Sequence, residues 1–568
     1  MQRKNLEIMA LAAVAIAVCA MASFAVFGGD DHDPTATDPD YLPNPITDDL
    51  RDYPDAEEVQ AEMNELFAVY LDTVLSEDAD ADEILERTQS LGDLLGDLEV
   101  WYGILMWDYS RDPSTYTVQF MECSSVVNSF DMTMNDVVQR GLDGPNADEV
   151  EAAVIAVFGQ MKFESISSSV TDIPELADLS ERELELCDMF YTTPSTPDNM
   201  AAIYLELIDV RNRIAELRGY ENYTEYGFSM NNTRDYGPED VAGFTDAVVD
   251  RVVPLYYSYF DTYQSPEYYY GSPQQLFDDA SQFFHSISEE FGRLYDCMVE
   301  NDLIDFDDLP TKPILSYSWG TVFSDTRYAY ICAYPYGGFM DVRALVHEFG
   351  HAANYCMNPT KDWDYDISES QSQGLEALFA LDPQMLDGQT EAVRTDVLSN
   401  LLANMMSTAM FAEFELRAFA EGPDTKEDLE ALYAEVASKY GIEDWSPWYY
   451  HSQLFDSPFY SISYGVSAFN ALDIFITGLE DRDAALDEYM SILLYDRKGY
   501  VGMTDALGIR SALDQDDFDY VIDAIEDLYA HADGVLIIDE CGTVHDSARW
   551  EHAETAEETG TRKRMIGA

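Results

Sequence analysis

Asp341-Val342-Arg343-Ala344-Leu345-Val346-His347-Glu348-Phe349-Gly350-His351-Ala352-Ala353-Asn354-Tyr355-Cys356 is the stretch that decides how the rest of this chain reads. Within it His347 and His351 stand four residues apart, and on a helix positions i and i+4 share a face, so both imidazoles reach one metal ion. Glu348, beside the first His, is placed to hold and deprotonate a water on that metal. The chain has only eight His, so this H-E-x-x-H arrangement is not the product of a His-rich composition. The plainer reading, two His satisfied inside a helical core, loses to the fact that the rest of the chain supplies the missing parts of a site.

A hydrolytic metal site needs a third protein ligand and an open position for water. Glu369, 18 residues after His351, is the first candidate. It lies in Asp366-Ile367-Ser368-Glu369-Ser370-Gln371-Ser372-Gln373-Gly374-Leu375-Glu376, which runs on into an apolar LEALFAL stretch and reads as helix. Glu369, Ser372, Gln373 and Glu376 then share one face. One carboxylate can bind the metal while the second orients a ligand His from behind. Glu376 is the alternative ligand if the register shifts.

HEFGH followed by E-x-x-S-Q-x-x-E resembles the thimet oligopeptidase and oligoendopeptidase F family of zinc metallopeptidases. Two further stretches resemble its oligoendopeptidase F branch: residues 206–228, ELIDVRNRIAELRGYENYTEYGF, and residues 448–475, WYYHSQLFDSPFYSISYGVSAFNALDIF. The resemblance implies one Zn²⁺ per chain on His347, His351 and Glu369, and hydrolysis of internal bonds of oligopeptides. It also implies two helical halves flanking a deep channel. From the second stretch it implies His451, Tyr460 and Tyr464 as donors to the oxyanion that forms at the scissile carbonyl. This chain departs from the family in a shorter segment between His351 and Glu369, and in Gln371 where the family has Pro.

Just before the metal helix, residues 314–342 carry β-branched and aromatic runs with Gly punctuation. Thr321-Val322-Phe323 and Tyr328-Ala329-Tyr330-Ile331-Cys332 are the predicted strands, a small β element along which a peptide backbone can lie. Gly337-Gly338 offers backbone freedom for a loop over the cleft. Elsewhere apolar residues recur at three- and four-residue spacing, as in residues 56–75, so the fold is expected to be mostly α. The expected organisation is a leader (1–28), a polar Pro-rich linker (29–50), an N-terminal helical region (51–310), a catalytic region (311–543) and a polar, mobile tail (544–568).

Asp and Glu number 110 against 30 Lys and Arg, a net charge of −80, which excludes nucleic acid as a partner because phosphates are repelled. A carboxylate-rich surface with eight Lys is what solubility in high salt favours. Arg3 and Lys4 precede a twenty-residue apolar run from Ile8 to Phe27, long enough to span a bilayer. The positive-inside rule leaves the catalytic body outside the cell, held at the membrane by an uncleaved anchor or secreted after cleavage. Cys123, Cys187, Cys297, Cys332, Cys356 and Cys541 show no paired spacing, and buried free thiols are expected. Two rival functions stand beside the endopeptidase: a helical zinc carboxypeptidase, which would need a free substrate C-terminus, and a catalytically silent, membrane-tethered peptide-binding protein.

Overall fold

A computed structural model describes residues 41–530, apart from 169–173, 232–233, 261–264, 313–315, 324–325, 359–363, 387, 443–446 and 496–498, together with three short strands beyond them. The leader run from Ile8 to Phe27 and Cys541 lie outside the described residues.

Helices dominate on both sides of the metal motif. Ala56–Val74 starts at Asp55, whose carboxylate accepts from the Glu57 and Glu58 amides, and it buries Met63, Phe67, Tyr70 and Val74 on one face. Such a cap satisfies two of the donors that every helix start leaves open. Ala81–Arg111 and Pro113–Leu142 pack on it and on each other. In the second half, Thr390–Glu421 and Ile462–Glu480 pack together, and Ile462–Glu480 also packs along Tyr365–Leu381. Among the described residues, Ile462–Glu480 alone has the length and apolarity of a membrane span, and it is a buried core helix.

One small sheet sits beside the helix Phe339–Met357 that carries His347 and His351, the metal helix of the sequence reading. Its strands are β1 (Ile304–Asp305), β2 (Ser316–Phe323) and β3 (Thr326–Ala333), in the order β1-β3-β2. β2 and β3 form an antiparallel hairpin with Trp319 opposite Tyr330, and β1 runs parallel to β3. Both predicted strand segments fall inside this hairpin. β1 precedes residue 311, so the sheet draws a strand from the N-terminal region expected to be mostly helical. The sheet is wedged between two helices. On one side Thr321 Oγ1 donates to Glu99 Oε2 at 2.8 Å and Tyr330 Oη to the Gly103 carbonyl at 2.9 Å. On the other, a Cβ at Gly320 would stand 2.5 Å from the Tyr355 side chain of the metal helix.

The metal helix, Phe339–Met357, opens after Gly337 and Gly338, whose φ values of 85° and 83° suit glycine and strain other residues. The Asp341 carboxylate accepts from the Tyr336 and Gly337 amides at 2.8 and 2.7 Å, and from Tyr270 Oη at 2.5 Å. The glycine pair therefore builds a pinned turn.

Gly350, inside HEFGH, is where the metal helix touches Tyr365–Leu381. A Cβ there would lie 2.7 Å from Ser372 Cα and 2.8 Å from the Gln371 carbonyl oxygen, both backbone atoms of the facing helix. A side chain has nowhere to go. Gly350→Ala is expected to push the helices apart, costing about 1–3 kcal/mol and weakening metal binding. Thermal unfolding and a metal titration of the same variant check both.

Leu536–Asp539 pairs antiparallel with Val544–Asp546 and Lys563–Ile566, so two strands fall within the stretch expected to be a mobile tail. Cys123, Cys187, Cys297, Cys332 and Cys356 are free thiols.

Candidate active site

The metal helix and Tyr365–Leu381 face each other, and each contributes to one cluster. His347 Nε2 lies 3.6 Å and His351 Nε2 3.7 Å from Glu369 Oε2. One ligand atom from each of the three lies within 4.8 Å of the others. An ion bonded tetrahedrally at about 2.0–2.1 Å holds its ligand atoms about 3.4 Å apart, so the trio fits a metal site with little adjustment. Two imidazoles and one carboxylate also suit an ion of intermediate softness.

Glu376, two turns after Glu369, takes the other side of the first imidazole. His347 Nδ1 is 2.8 Å from Glu376 Oε1, which leaves Nε2 turned toward Glu369. Arg343 holds Glu376 Oε2 at 3.4 Å and Asp396 at 3.3 Å, and Asp396 accepts from Ser265 at 2.7 Å. Of the two roles open to these carboxylates, Glu369 thus has the ligand geometry and Glu376 the orienting one. His351 Nδ1 meets Ser368 Oγ at 3.2 Å. Glu376→Gln keeps the shape but weakens the hold on His347. It is expected to lower metal affinity about 10–100-fold, read by competition against a chelator of known strength.

The electrostatics favour a cation here. Burial opposes charge on His347, but Glu376, Glu348 and Glu369 outweigh it and hold the imidazole up at about 9. Burial also raises Glu369, against the pull of His347 and the Tyr460 hydroxyl. On Glu376 the same burial is outweighed by His347 and Arg343, and its carboxyl lies below the usual range. Burial pushes Glu348 up to about 7 against the nearby His347. A carboxyl titrating near neutral can both take and return a proton.

The downstream segment reaches the same place. Tyr460 Oη donates to Glu369 Oε1 at 3.1 Å and lies 3.2 Å from Tyr464 Oη. Ser372 Oγ donates to Glu369 Oε2 at 3.1 Å. Tyr460 and Tyr464 are therefore joined to the metal cluster, with the Tyr460 ring edge-on to Tyr365. His451 is placed differently. Its ring packs on Phe411, centroids 3.9 Å apart, and burial lowers it to about 4, so it is neutral at pH 7 and keeps one N–H to donate.

Residues with no motif of their own support this frame. Arg234 is buried and forks onto Asp366, with Nε 3.1 Å from Oδ2 and Nη2 3.2 Å from Oδ1. It also donates to the Phe459 carbonyl at 3.0 Å and to Ser463 Oγ at 2.8 Å. Asp366 accepts as well from Tyr236 at 2.8 Å and Ser463 at 2.6 Å. Arg234 and Asp366 are 132 residues apart, and no local sequence pattern marks either of them.

A sequence model of peptidase family M3 matches residues 338–494. No curated protein matches the chain in sequence. Among solved structures, PZ peptidase A with a bound inhibitor is similar at a TM-score of 0.68 and 17% identity, covering 85% of this chain and 98% of that one. A Bacillus anthracis protein assigned to oligoendopeptidase F reaches 0.65 at 18% identity, covering 87% and 98%. A Pyrococcus furiosus carboxypeptidase reaches 0.56 at 12% identity, covering 78% and 98%. At these identities the likeness speaks for the fold. The sequence match spans both helices of the His and Glu cluster and runs on past Tyr460 and Tyr464, so over residues 338–494 the chain is similar to peptidase family M3, and that similarity supports a metallopeptidase.

Proposed function

We propose that this chain is a zinc-dependent endopeptidase that hydrolyses internal bonds of oligopeptides, with His347, His351 and Glu369 as the zinc ligands. The observation that carries the reading is the His–His–Glu trio at 3.6–3.7 Å, with Glu348 beside it and the Tyr460 hydroxyl on its carboxylate. When bound, zinc supplies a Lewis acid for the scissile carbonyl and a water of lowered pKa. Glu348 takes the proton of the attacking water and returns it to the leaving amine. The Tyr460 hydroxyl, with Tyr464 beside it, turns its single proton from Glu369 to the carbonyl oxygen as charge grows there. His451, neutral at pH 7, is the further donor of this set. The free edge of β2, packed beside the metal helix, takes the peptide backbone as an added strand. The leader from Ile8 to Phe27 holds the enzyme on the outer face of the membrane.

The test is metal content together with cleavage of a mixed oligopeptide library by the full chain, with and without chelator, in low and high salt. One zinc per chain with chelator-sensitive internal cuts is expected. Cleavage confined to substrates with a free C-terminus, lost on amidated peptides, would replace the endopeptidase with a carboxypeptidase. Zinc without cleavage at any salt concentration would leave a peptide-binding role.

A further inference from the structure

Tyr460 follows a residue in an unusual conformation. Phe459 has φ +64°, the left-handed region in which a Cβ crowds the following carbonyl oxygen. Such a conformation persists only where the surroundings over-determine it. Here both polar groups of Phe459 are held by buried charged side chains. Its amide donates to Glu415 Oε1 at 2.9 Å, and its carbonyl accepts from Arg234 Nη1 at 3.0 Å. The ring is fully buried against Phe228, Tyr223 and Phe419, and a Cβ on Gly227 would come within 2.7 Å of it.

The two clamping side chains come from different parts of the fold. Glu415 lies on the Thr390–Glu421 helix. Arg234 is anchored to Asp366, one turn before Glu369 on the ligand helix. The peptide that sets the direction of Tyr460 is thereby tied to the helix that carries a metal ligand. We propose that Glu415 and Arg234 are positioning residues that hold Phe459 in its left-handed conformation and so fix the Tyr460 hydroxyl at Glu369. Without the acceptor on its amide, Phe459 relaxes toward negative φ and carries Tyr460 away. Glu415 needs only an oxygen to do this. Its second oxygen is buried with no hydrogen-bond partner, and burial lifts the carboxyl to about 8, so the role is that of a neutral acceptor. The kinetic part of this inference rests on the proposed peptidase mechanism; the conformational part does not.

The experiment compares Glu415→Leu, Glu415→Gln, Tyr460→Phe and the Glu415→Leu/Tyr460→Phe double variant in the full chain. Gln keeps the acceptor and Leu removes it. Glu415→Leu is expected to lower kcat about tenfold or more at similar KM and metal content, and Glu415→Gln to stay within about threefold of the wild type. In the Tyr460→Phe background the Leu substitution is expected to cost less than about twofold more. Hydrogen exchange in metal-free protein over residues 455–464 is expected to quicken about tenfold or more in Glu415→Leu and to hold in Glu415→Gln. Equal losses in Leu and Gln, additive losses in the double variant, or unchanged exchange in Leu would each overturn the clamp. If the wild type cleaves no peptide, the mechanism fails while the exchange comparison still decides the clamp.

Discussion

Glu348→Gln should keep the metal and lose turnover by about a thousandfold or more. The amide matches the carboxylate in size, so the helix, His347 and His351 keep their places. What it loses is the ability to accept a proton. Glu348 is buried, beside the proposed ligand His347 and pushed toward neutral titration by that burial, the setting in which a carboxyl serves first as base and then as acid. A loss of this size is about 4 kcal/mol of barrier, far more than a distorted surface contact yields. Metal content measured alongside kcat separates the chemistry from the binding. A Glu348→Gln protein with full metal and near-normal turnover would remove the proton-transfer role.

Glu369→Ala should abolish stoichiometric metal binding, and with it all activity. Glu369 Oε2 faces both imidazoles, and removing it leaves two His, too few for a stable closed set. The comparison with Glu376 gives the prediction its edge, because the two carboxylates lie on one helix face and are both buried. If Glu369 is the ligand, Glu369→Ala loses the ion and Glu376→Gln only weakens its hold. The reverse ranking in a metal titration would exchange their roles.

Much of this was legible before any coordinates. Two His at i and i+4 can only share a helix face, and a carboxylate on the next helix completes the set, so His347, His351 and Glu369 could be named from spacing and family likeness together. The place of Glu376 behind His347 required the structure, since spacing put both carboxylates on one face and the 2.8 Å contact at Nδ1 distinguishes them. Tyr460 and Tyr464 stand in the sequence as alternative donors and lie together in the structure, whereas the place of His451 against Phe411 depends on a loop whose path no periodicity sets. Arg234, Asp366 and Glu415 were not legible because their partners lie 44 to 229 residues away. In a chain with 110 acidic residues, a buried carboxylate looks like any other. Gly350 was hidden for a different reason: inside a helix, nothing in the sequence says that a backbone stands where its Cβ would be.

The polar inner face of the Tyr365–Leu381 helix bears on the order of folding. Ser370 accepts from Asn470, Gln371 donates to the Ile492 carbonyl, and Gln373 donates to Ser467. Hydrophobic collapse alone cannot seat such a helix, because each of these groups left unpaired in the interior costs about 1–3 kcal/mol. Their partners arrive 94 to 121 residues later in the chain. A nascent polypeptide that has emerged only as far as Glu376 therefore carries the three proposed ligands without the side chains and carbonyls that seat their second helix. On the proposed zinc reading, metal uptake is expected to wait for the segment through Ile492 and so to be a late step in maturation.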